Sequence, residues 1–257
     1  MSFIIIALVA FVASCLTFFS GFGLGTILMP AFLLFFPLDA AIAMTAVVHL
    51  LNNLLKLAIL WKAARWDIIR SFGVPAVIFA FVGASLLLWM DNMTPLYMYQ
   101  WLGRDLYISI EKLTIAVLIF LFVVLESLPA LKNFSFPPRY LPVGGALSGF
   151  FGGLSGHQGA LRSMFLLKCN LNKESYVATG VVIACLVDFS RLSIYGKDLL
   201  TISYKDHAGL MAVAVVAAFA GVFAGSRLLK KITMNAVQWV VSGMLIVIAI
   251  LLGSGII

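Results

Sequence analysis

Residues Phe3–Phe36 form a run of 34 residues without one charged side chain. As a single straight α-helix this run would be about 51 Å long, against about 30 Å of hydrocarbon in a bilayer. The chain must therefore break, and near the middle stands Ser20-Gly-Phe-Gly-Leu-Gly25. Glycine permits backbone turns that other residues resist. A second long run, Tyr140–Leu167, is interrupted in the same way by Gly152-Gly-Leu-Ser-Gly-His-Gln-Gly159, and it contains Arg162.

Between and after these runs lie six apolar segments near 20 residues, the length of one spanning helix. They are Ala40–Trp61, Ser71–Met90, Leu113–Leu131, Ser175–Tyr195, Ala208–Leu229 and Ala236–Ile257. Hydrophobic residues make up 63% of the chain and charged ones 11%, where a soluble domain carries roughly 45–50% and about 25%. That balance excludes a disordered chain and an ordinary soluble enzyme and makes the lipid bilayer the solvent. The net charge of +7 does not gather in a stripe, so no nucleic-acid partner is read from it. Cys15, Cys169 and Cys185 show neither disulfide nor metal spacing, and no metal or other cofactor is expected. A nucleotide-binding P-loop pattern is also missing from the sequence, so the coupling of a carrier would come from the substrate gradient, the membrane potential or protons, and no enzyme activity is expected.

The long runs repeat each other. A shift of 134 residues places Gly25 on Gly159 and Thr45-Ala-Val-Val48 on Thr179-Gly-Val-Val182. Each long run is then followed by three ordinary spans, the internal symmetry common in transporters. If each long run crossed the membrane once, seven lysines and arginines would fall on each side. If each instead folds back at its glycines, ten basic residues (Lys62, Arg65, Arg70, Lys132, Arg139, Lys168, Lys173, Arg227, Lys230 and Lys231) share one side. Only four, Arg104, Lys112, Lys197 and Lys205, share the other. The positive-inside bias selects the second arrangement.

The expected fold is thus an all-α integral membrane protein of two inverted repeats, each a broken re-entrant hairpin plus three transmembrane helices, eight helical segments in all. The first repeat is 1–131, with hairpin 3–36 and spans 40–61, 71–90 and 113–131. The second is 132–257, with hairpin 140–167 and spans 175–195, 208–229 and 236–257. Both termini lie outside, in a bacterial inner membrane, and a homo-oligomer is compatible with the sequence. Asp91–Lys112, rich in Tyr, Met and Trp, reads as an interfacial stretch on the outer surface.

Irregular backbone at membrane depth lines a cavity or is buried in protein. The helix that follows each glycine cluster starts with unpaired N–H groups, which suit an anion. The candidate substrate-binding residues are Gly21, Gly23 and Gly25 in the first break, and Gly156, His157, Gln158 and Gly159 in the second. Arg162 joins them because intramembrane charge is costly and its planar fork matches an oxyanion. His49, Asn52, Asn53 and Lys56 are spaced so that one helix face can present most of them. Asp188 and Arg191, three apart, form a coupling or structural pair.

With these residues assembled, the chain resembles the TauE/SafE family of sulfite and organosulfonate exporters over nearly its whole length. The resemblance rests on Gly21-Phe-Gly-Leu-Gly-Thr-Ile-Leu-Met-Pro30 and on Gly153-Leu-Ser-Gly-His-Gln-Gly-Ala-Leu-Arg-Ser163. It rests also on the spacing to the Thr45 and Thr179 helices. At Met164 the repeat would place a second proline opposite Pro30. The resemblance implies a membrane carrier that exports a small sulfur-containing anion such as sulfite or sulfoacetate. Two alternatives come from the residues alone. One is an intramembrane serine protease using Ser155 in Gly153-Leu-Ser-Gly156, and the other is a cation or metal carrier using Asp188 and His49.

Overall fold

A computed structural model describes residues 2–20, 24–101, 103–127, 135–201, 204–228 and 234–257. The described chain is predominantly helical. In order come α1 (Ser2–Ser20), α2 (Leu24–Leu33), α3 (Leu38–Leu60), α4 (Trp66–Asp91), α5 (Ile110–Ser127), α6 (Leu141–Ser155), α7 (Gly159–Leu166), α8 (Lys173–Thr201), α9 (Tyr204–Leu228) and α10 (Met234–Gly253). Among the described residues, three stretches are long and apolar enough to cross a membrane: Ala40–Ala63, Trp66–Asp91 and Lys173–Tyr195.

The first long apolar run contains α1 and α2, with 21–23 between them outside the described residues, and Pro30 is accommodated inside α2. The second divides into α6 and α7 at Gly156, whose φ of 79° is left-handed, a conformation that glycine adopts without steric cost. The two ends of this second segment meet. The Phe136 N–H donates to the Met164 carbonyl at 3.0 Å. The Phe136 ring stacks on Phe165, 4.5 Å between centroids, and Phe165 fills the space beside Gly144 at the start of α6. So α7 runs back along α6.

Two crossings are made of glycine. On α6, Gly145, Gly149 and Gly153 lie against the backbone of Phe72, Ala76 and Ala80 on α4, so close that a Cβ at any of them would collide with the carbonyl oxygen opposite. On α9, Gly221 and Gly225 lie in the same way against Phe11 and Cys15 of α1. Lipid tails are as apolar as leucine, so helices associate in a membrane through such close backbone approach. α3 packs on α8, and α5 on α10.

One departure from the all-α expectation is an antiparallel hairpin inside 91–112, β1 (Tyr97–Trp101) and β2 (Arg104–Ile108), paired from Tyr97–Ile108 to Trp101–Arg104. Aromatic side chains at alternate positions suit a pleated ribbon. The helix ends also differ from the expected spans. α4 begins at Trp66 rather than Ser71, and carries one π turn over Ile69–Gly73. α8 runs on to Thr201, whereas α10 stops at Gly253, four residues before the expected end.

The chain collects at two ends. At one, Ala64, Phe136, Cys169 and Leu171 pack on a common cluster with Ile68, Leu141 and Leu166, and the Arg65 N–H donates to Thr179 Oγ1 at 3.0 Å. At the other, the Tyr99 hydroxyl donates to the Ser254 carbonyl at 2.5 Å, and Gly255 lies against the backbone of Tyr107. The exposed Arg65–Asp67 pair makes two hydrogen bonds, 2.9 and 2.7 Å.

Candidate functional site

The polar residues inside the bundle converge on one carboxylate. Asp188, on α8, is fully buried. Its Oδ2 lies 2.5 Å from His49 Nδ1 on α3, in the other half of the chain. Its Oδ1 accepts from Arg191 Nε at 3.1 Å and Nη2 at 2.8 Å, and more loosely from Gln158 Nε2 at 3.4 Å. Asn53 Nδ2 lies 3.3 Å from both ring nitrogens of His49. Helical periodicity explains the grouping, since His49 and Asn53 are four apart and Asp188 and Arg191 three apart.

Gln158 links this cluster to Arg162. The Arg162 Nη1 donates to Gln158 Oε1 at 3.2 Å, and its Nε lies 3.4 Å from where a Cβ would stand on Gly180 of α8. Gln158 is itself fixed by the Ser148 hydroxyl, which donates to its carbonyl at 3.0 Å. Lys56, on α3, is also buried. Among the described residues the interior therefore holds buried Arg191 and Lys56 and half-buried Arg162 against the two buried carboxylates of Asp188 and Glu111. Such a surplus at low dielectric attracts an anion.

Two expected site residues turn elsewhere. Asn52 leaves the His49 face, and its Oδ1 accepts from the Ser14 hydroxyl of α1 at 2.8 Å. The His157 ring stacks on Phe122 of α5, 5.6 Å between centroids, and its Nδ1 lies 3.0 Å from the Ser155 carbonyl. Gly159 is the first residue of α7. Gly21 and Gly23 lie outside the described residues. Gly25 approaches the second break, where its Cβ would stand 3.8 Å from the Gly156 carbonyl and 3.6 Å from Thr45 Cγ2.

Three residues of this neighbourhood were not among the site residues expected from the sequence: Ser14, Tyr195 and Thr45, the last marked only as a repeat landmark. Tyr195 follows Arg191 by four on the same face of α8, and its hydroxyl donates to the Gly153 carbonyl. That spacing was visible in the sequence, but Ser14, a small residue in a charge-free run, carried no such signal.

The breaks make a sharp prediction. Gly156→Ala would force a side chain into a left-handed backbone and place its Cβ 2.8 Å from Arg191 Nη1. The cost is about 1–3 kcal/mol for the backbone alone. Gly25→Ala meets only ordinary contacts. In detergent, Gly156→Ala is expected to lower the melting temperature clearly and Gly25→Ala hardly at all. Equal melting of the two would contradict this geometry.

The Ser155 hydroxyl donates to the Phe151 carbonyl at 3.0 Å, and the only His157 contact to Ser155 is with its main-chain oxygen. Nothing there supports a serine nucleophile with a histidine base. Among the described residues no group of three His, Cys, Asp or Glu could hold a metal, so the cation alternative gains no support. The family model of the sulfite exporter TauE/SafE matches residues 6–252. No curated protein matches the chain, and no solved structure does. With nearly its whole length matched, the chain belongs to the TauE/SafE family of membrane transporters.

Proposed function

From that membership we propose a secondary carrier that exports a small anion, sulfite or an organosulfonate such as sulfoacetate, by alternating access. One observation carries the reading: basic side chains gather inside the bundle, with buried Arg191 held by Asp188 and half-buried Arg162 joined to the same carboxylate through Gln158.

The proposed architecture is two inverted repeats, 1–131 and 132–257, each opening on a re-entrant hairpin, with both termini on the outer face of a bacterial inner membrane. Several packing relations support it. The first arm of each half lies on the second span of the other, α1 on α9 and α6 on α4. The C-terminal residues meet the hairpin over 97–108, which a single crossing by each long run would put on opposite sides. A rocking of one repeat against the other then exposes the midplane site alternately. A reporter fused to the C-terminus is expected to read periplasmic, and a cytoplasmic reading would overturn this orientation.

The transport reading is tested by anion uptake into proteoliposomes, comparing sulfite, thiosulfate, sulfoacetate, phosphate and acetate under voltage and pH gradients. Arg162→Gln is expected to reduce flux roughly tenfold or more, the scale of a lost charge-assisted hydrogen bond. Ser155→Ala is expected to leave flux within about twofold, because it removes one local helix hydrogen bond. No flux above empty liposomes for any of these anions would end the carrier reading.

A further inference from the structure

Arg191 is 1% exposed. Its Nε and Nη2 are committed to Asp188. Its Nη1 is buried and, among the described residues, has no hydrogen-bond partner. A buried unpaired donor on a charged group is costly and calls for an explanation such as an occupant. This nitrogen lies against Gly156, at the left-handed break of the second half. Gly25 reaches the same point from the first half, beside Thr45. The Thr45 hydroxyl is also buried without a partner among the described residues. Arg191, Gly156, Gly25 and Thr45 thus meet at one junction between the halves.

Arg162 lies on the far side of Gln158. Its Nε rests on Gly180, eleven residues before Arg191 on the same helix, and Gln158 stands between it and Asp188. Its Nη1 is already occupied by Gln158.

The geometry points to Arg191, rather than Arg162, as the residue that holds the transported anion, with Nη1 donating to an oxygen of a sulfite or sulfonate group seated at the Gly25–Gly156 junction beside the Thr45 hydroxyl. This rests on the carrier reading. Asp188 orients the guanidinium through two hydrogen bonds and cancels one charge, so the free edge offers a directed donor without the full pull of an unpaired cation. An anion held in this way is bound and can still leave. Arg162, half-buried, then acts as a guiding charge on the path and not as the seat.

The test measures sodium sulfite binding by calorimetry on folded, monodisperse protein, alongside sulfite flux in proteoliposomes. Asp188→Asn combined with Arg191→Gln keeps a polar side chain at each position and removes the ion pair from both sides at once. It is expected to weaken sulfite affinity roughly tenfold or more. Arg162→Gln is expected to keep affinity within about threefold while slowing flux, as loss of a guiding charge does. Should the double variant fail to fold, Thr45→Val, nearly isosteric, is expected to weaken affinity about threefold with folding retained. Sulfite affinity unchanged in the double variant, or in Thr45→Val where that variant stands in, overturns the assignment and leaves the carrier reading standing. A loss of affinity confined to Arg162→Gln overturns it as well. Absence of flux in the unmodified protein is the separate result that ends the carrier reading itself.

Discussion

Asp188→Ala is expected to be the most destabilising truncation in the polar cluster. Asp188 accepts from His49, Arg191 and Gln158 at 2.5–3.4 Å with its own side chain fully buried. Removing it strands the Arg191 guanidinium, 1% exposed, with no counter-charge in hydrogen-bond contact. Breaking a buried pair from one side costs about 3–5 kcal/mol. It also cuts the His49 link between α3 and α8, which joins the two halves. For a chain of this size the loss corresponds to a melting temperature lower by roughly 6–20 °C. Asp188→Asn with Arg191→Gln should melt above Asp188→Ala despite carrying more substitutions, because it removes the ion pair from both sides at once. Melting of purified protein in one detergent checks both. Asp188→Ala melting within a degree or two of the unmodified protein would mean that water or lipid headgroups compensate Arg191.

Much of this arrangement was legible from residue spacing. An apolar run too long for the bilayer had to break, and in the second run glycine marked the place, at Gly156. His49 with Asn53, and Asp188 with Arg191, followed from helical period. Their meeting across the halves did not, because single-helix periodicity says nothing about which helix lies opposite. Asn52 shows the same limit: its face was right to within one residue, yet Ser14 of α1 claims it. At the α6–α4 crossing glycines sit on both helices, Gly145, Gly149 and Gly153 on α6 and Gly83 on α4, whereas at the α1–α9 crossing Gly221 and Gly225 sit on α9. Helix ends were misjudged wherever charge was taken as an end. Asp67 and Arg70 interrupt the apolar run before Ser71, but helix continues through them, since a helix leaving the bilayer can keep its hydrogen bonds in water. The hairpin over 97–108 was hidden because its strands are only five residues each.

The crossing of α6 and α4 supplies the largest packing effect. Gly149→Leu would place a branched side chain where the Ala76 carbonyl already lies. The obstacle is backbone, so no rotamer relieves it, and the two helices must separate. They cannot separate locally. Gly145 against Phe72, Gly153 against Ala80 and Gly83 against Phe150 belong to the same parallel contact, and all open together. No hydrophobic force closes the gap, because lipid solvates the exposed faces as well as the partner helix does. The cost is expected to exceed the about 1–3 kcal/mol typical of overpacking in a core, and the variant should be lost from the monodisperse peak in size-exclusion chromatography. Ala76→Gly should not rescue it, since it removes a methyl and leaves the carbonyl in place. Leu147→Ala, on the exposed face of the same helix, should behave as the unmodified protein. Rescue by Ala76→Gly would show that side chains, and not backbone contact, set the spacing of these helices. The position of Gly156, which α6 carries at its end, would then be fixed by softer contacts than a site for one small anion requires.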